Sequence, residues 1–71
     1  MKKVLRIRQL LGEKCLTQAE GARRCGLTPQ AFSRIVNGTE PPYAKRGQRI
    51  ANALGWDGDW SELFEEVVLD A

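Results

Sequence analysis

At 71 residues the chain is one domain or less, and its apolar residues (42%) are spread along the whole length with no linker and no low-complexity tract, so residues 1–71 are expected to form a single unit around one modest core. There is no histidine and there are only two cysteines, which excludes a disulfide scaffold and disfavours zinc; the lack of a glycine-rich phosphate loop or a spaced carboxylate pair gives catalysis no support. The net charge of +2 hides a division: residues 1–50 carry all eleven basic residues against three acids, net +8, and residues 51–71 carry six acids and no base, net −6. That polarity predicts a basic face for a polyanion, with the acidic end turned away.

The apolar run in "MKKVLRIRQLL" is broken by Arg6 and Arg8 and is too short to span a bilayer, so a cytosolic protein with no membrane association is expected. Val4, Ile7, Leu10 and Leu11 recur at helical spacing and predict a first helix over "VLRIRQLLGEK", with Arg6, Arg8, Gln9 and Glu13 mostly outward. In "TQAE", Thr17 and Glu20 form a capping box: the hydroxyl accepts from an orphan amide while the carboxylate reaches back to another. A second helix therefore starts at Thr17, turns Ala22 and Cys25 inward, and stops at Gly26 in a left-handed cap. Cys25, and with it Cys15, reads as a small apolar residue rather than a redox group.

Thr28 offers the next N-cap and Pro29 fills the first turn, where its missing amide costs nothing. The third helix runs to about Asn37 and ends at Gly38; Pro41 and Pro42 then hold a loop. A fourth helix near Lys45–Leu54 buries Ile50, Ala51 and Leu54 and ends at Gly55. In "DWSE", Asp59 and Glu62 form another capping box, opening a fifth helix that carries Leu63, Phe64 and Val67. No segment alternates as a strand would, so the expected class is all-α with five helices.

At about 100° per residue, Pro29, Gln30, Ser33, Arg34 and Asn37 fall within an arc of roughly 140°, opposite Ala31, Phe32 and Ile35, with Val36 at the margin. The third helix is thus expected to dock its apolar side and present hydrogen-bonding groups outward. Solvent alone would tolerate such a strip. A helix, a glycine turn and a second helix, however, make a helix-turn-helix over residues 17–37, whose second helix fits the major groove of DNA. Gln30 matches the N6/N7 edge of adenine, Arg34 the O6/N7 edge of guanine, and Pro29 a thymine methyl. Lys45 and Arg46, beside the proline loop, suit phosphates, which set affinity and register rather than sequence.

"LTQAEGARRCGLTPQAFSRIVNG", followed at the same spacing by "RIANALG", resembles the helix-turn-helix of the lambda-repressor-like (Xre or Cro type) family over about residues 4–67. The resemblance implies a compact five-helix, all-α domain that binds a double-stranded DNA operator as a transcriptional regulator, a repressor of bacterial or phage origin, associated with the nucleoid and needing no cofactor. It implies that Gln18 meets phosphate and braces the recognition helix, that Thr28, Pro29, Gln30, Ser33 and Arg34 approach base edges or nearby phosphates, and that Asn37 contacts phosphate. Gly21, Gly47 and Ala44 stand where the family has bulkier residues, so the core is expected to be undersupplied there, with Trp56, Trp60 or Tyr43 filling the space.

A stripe of Leu63, Phe64, Val67 and Val68 suits either a weak homodimer strengthened on DNA, with Phe64, Val67 and Val68 at the contact, or closure of the monomer's own core. A different class of function stays open: a protein-interaction module of the same fold, such as an antitoxin-like partner whose acidic half docks on a basic protein. RNA binding has less support, because only Tyr43 offers an exposed aromatic for base stacking.

Overall fold

The computed structural model describes residues 2–69. Strand β1 (Lys2–Leu5) leads directly into helix α1 (Arg6–Glu13), followed by α2 (Gln18–Cys25), α3 (Pro29–Val36), α4 (Ala44–Leu54), a 3₁₀ helix η1 (Trp60–Phe64) and strand β2 (Glu66–Leu69).

The cap chemistry acts where the sequence places it. The Glu20 amide donates to Thr17 Oγ1 (3.1 Å) and the Thr17 amide donates to the Glu20 carboxylate (3.3 Å), closing the box at the start of α2. Gly26, at φ 71°, ends α2 in a conformation that costs an L side chain about 1–2 kcal/mol, and the next amide, of Leu27, returns to the Ala22 carbonyl (2.9 Å). Thr28 Oγ1 accepts from the Ala31 amide (3.2 Å), so the N-cap of α3 stands two residues after the turn glycine.

Two expectations are corrected. The box at Asp59 and Glu62 is present, but it opens a 3₁₀ helix that stops at Phe64, so the five-helix, all-α description gives way to four α-helices, one 3₁₀ turn and a small sheet. β1 and β2 pair antiparallel, with Val4 opposite Val67 and Lys3 opposite Val68. Val4 therefore owes its burial to the sheet and not to the first helix, which begins at Arg6, whose amide donates to the Glu65 carbonyl (2.9 Å). The C-terminal stripe is likewise split, with Leu63 and Phe64 closing η1 and Val67 and Val68 in β2. Leu63 is wholly buried in the core, whereas Val67 and Val68 are neighbours in a strand and face opposite sides of it.

The core gathers Ile7, Leu10 and Leu11 from α1, Ala22 and Cys25 from α2, Phe32, Ile35 and Val36 from α3, and Ile50, Ala51 and Leu54 from α4. At about 1.5–3 kcal/mol for each large side chain buried, Phe32, Ile35 and Val36 together fix which side of α3 faces inward. The two small helical residues leave no void. A Cβ on Gly21 would lie 2.9 Å from the Phe32 ring, and one on Gly47 would fall inside the Trp60 indole. Trp56 is half-buried against the core, while Tyr43 fills nothing, being 62% exposed.

Candidate nucleic-acid interface

With its apolar side docked, α3 turns Pro29, Gln30 and Arg34 to solvent, leaves Ser33 half-buried, and has Thr28 and Asn37 exposed at its two ends. Gln18, at the first position of α2, joins Pro29, Gln30, Ser33 and Arg34 around one open depression. The polar arc and the start of the preceding helix thus form one continuous surface.

The hydrogen bonds on this face show which groups remain free for a ligand. Thr28 spends an acceptor site on its own helix but keeps its hydroxyl proton available. Asn37 Nδ2 donates to Ser33 Oγ (3.3 Å), which ties the last turn of α3 to its cap. Arg34 is held on one edge only: its Nε–H donates to the Gln30 carbonyl (3.4 Å) and stands 3.8 Å from a Glu40 carboxylate oxygen, and both side chains are more than half exposed. The two terminal nitrogens of the guanidinium have no protein partner among the described residues.

Lys45 and Arg46 lie apart from that depression. They line a second concavity beside the helix-turn-helix corner, together with Gly26, Leu27, Tyr43 and Arg49. The Arg46 guanidinium sits 5.4 Å from the Tyr43 ring centroid, a cation–π contact that orients it. Tyr43 caps α4 without a side-chain hydrogen bond, so the positive end of this helix opens onto the same surface. Arg49 is the residue that sequence reasoning missed. Its guanidinium packs over Gly26, where a Cβ would come within 2.9 Å, and its spacing of four from Lys45 in "KRGQR" was the signal that could have found it.

Cys25 borders this concavity from the core side. Burial pushes its thiol up to about 11, with Arg49 pulling weakly the other way, so it stays protonated at neutral pH and is no nucleophile. The other cysteine, Cys15, is exposed and free.

The sequence profile described as Helix-turn-helix matches residues 7–61, from α1 into η1. The chain belongs to this family. The Helix-turn-helix family is of the lambda-repressor (Xre) type, a DNA-binding regulatory family that is generally non-enzymatic. In this Helix-turn-helix protein both strands of the sheet lie outside the matched residues. No curated protein and no solved structure matches the chain. Among the described residues no helix is long and apolar enough to cross a membrane, and no three His, Cys, Asp or Glu side chains are grouped to hold a metal ion.

Proposed function

We propose that residues 1–71 form one DNA-binding unit of a sequence-specific repressor of bacterial or phage origin that acts in the cytoplasm, on the nucleoid, by occupying a double-stranded operator. The observation that carries this reading is the surface formed by Gln18, Pro29, Gln30, Ser33 and Arg34, presented by a helix whose opposite side is locked into the core. In the major groove, α3 brings Gln30 to the N6/N7 edge of adenine and Arg34 to the O6/N7 edge of guanine, while Pro29 contacts a thymine methyl and Thr28 and Ser33 supply hydroxyls. Gln18 and Asn37 meet phosphates at the two ends of the helix-turn-helix. Lys45 and Arg46, with Arg49 beside them, neutralise phosphates at the positive end of α4. A weak homodimer, strengthened on DNA, places two copies of α3 on successive turns of the duplex.

Selection of bound sequences from a random duplex pool tests the proposal. The expected result is a palindromic consensus in which each half carries a guanine and an adenine at fixed spacing. Retention of DNA without enrichment of any motif would reduce the protein to a non-specific binder.

A further inference from the structure

We propose that Glu40 is a specificity-determining residue that orients Arg34 for one mode of guanine recognition. The inference rests on the reading of Arg34 given above and names what controls it.

A guanidinium can present two forks to the O6/N7 edge of guanine: the side edge, formed by Nε and one terminal nitrogen, or the end, formed by both terminal nitrogens. In this protein the Nε–H of Arg34 is turned inward, to the Gln30 carbonyl at 3.4 Å and to Glu40 Oε2 at 3.8 Å. The side edge is therefore occupied by the protein, and the end fork is left for the base.

Glu40 is itself held in place. The amides of Thr39 and Glu40 both donate to the Arg34 carbonyl, at 2.9 and 3.3 Å, so the loop hangs from the residue that it orients. Pro41 follows, and a residue before proline is confined to extended backbone. An exposed pair of this length adds little to folding stability. It does place a negative charge where phosphates approach, which weakens binding to every DNA sequence. A carboxylate that opposes general affinity while narrowing the freedom of the base-reading arginine exchanges affinity for discrimination.

The test compares wild type, Glu40→Gln, Arg34→Ala and the double variant. Each is titrated on a selected duplex and on the same duplex with the guanine pair assigned to Arg34 replaced, with circular dichroism recorded to check the fold. Glu40→Gln is expected to tighten binding to the substituted duplex by about two- to fivefold and to the selected duplex by less, so that the preference between the two duplexes falls. In the Arg34→Ala background the same change should leave the preference where Arg34→Ala alone puts it. If Arg34→Ala lowers the preference but Glu40→Gln tightens both duplexes equally, Glu40 is only a repelling charge and the inference is overturned. If Arg34→Ala does not alter the preference, the guanine reading fails and the inference with it.

Discussion

The cations around the start of α4 differ from those on α3 in what surrounds them. Arg46 is steered by the Tyr43 ring, Arg49 leans over the turn glycine, and Lys45 shares their concavity. Such groups neutralise charge without reading it. Lys45→Ala and Arg46→Ala should weaken binding to all duplexes alike, and the slope of log affinity against log salt should shrink by about one for each phosphate left without its cation. An unchanged slope in both variants would take them out of the interface. Much of the site at this scale was legible in the sequence, because helical angles alone separate Gln30 and Arg34 from Phe32 and Ile35. Glu40 was not legible, and of Arg49 only its place on the Lys45 face of α4 was. Their roles depend on where a proline loop folds back and on which helix packs over Gly26, and neither is a property of local spacing.

Among the elements, the helix ends were the most legible parts, since a capping box needs only four consecutive residues to close. The strands were hidden for the opposite reason. Val4 lies three residues before Ile7, a spacing that continues the helical pattern, while its actual partner is Val67 at the far end of the chain. Missing bulk in α4 was also visible in the sequence, as were three aromatics to replace it, and of these Trp60 is the one at Gly47. Trp60, the first residue of η1, lays its indole over Gly47, and the two elements pack at that point. Gly47→Ala gains about 1 kcal/mol of helix propensity and meets an overpacking cost of about 1–3 kcal/mol, so a net loss of thermal stability is expected. Placed in a Trp60→Leu background, the same alanine should be neutral or stabilising. A destabilisation of equal size in both backgrounds would show that the indole is not what excludes a side chain at residue 47.

The backbone of the described residues spans 31 × 23 × 22 Å and carries one recognition helix, α3, whereas successive major-groove faces lie roughly 34 Å apart. In the proposed mode one copy would read one half-site, and a palindromic operator would require two. The surface offered for pairing is smaller than a helical stripe would have been: Phe64 is half-buried beside Trp60, Val67 is half-buried in the sheet, and Val68 is left 48% exposed. Val68→Asp should lower affinity for a full palindrome far more than for a half-site, without loss of helix content, when both are followed by gel shift and sedimentation. Equal affinity for the two duplexes, with one copy on each, would remove the dimer and leave the recognition helix untouched. The charge division should add an orienting effect, because a polyanion that draws in the basic residues would repel the exposed acids Asp57, Asp59, Glu62, Glu65 and Glu66.

The pairing of Lys2–Leu5 with Glu66–Leu69 also sets an order in time. α2 meets α3, and α4 meets η1, across a short connection, whereas the two strands must close a loop that contains all four helices, and the entropy of that closure is repaid only once the intervening chain is compact. The sheet is therefore expected to shut after the helices have docked and to open before they part. Amide exchange at Val4 and Val67 is expected to outpace exchange at Ile35 and Ile50, so that β1 and β2 separate in excursions that leave the recognition helix standing.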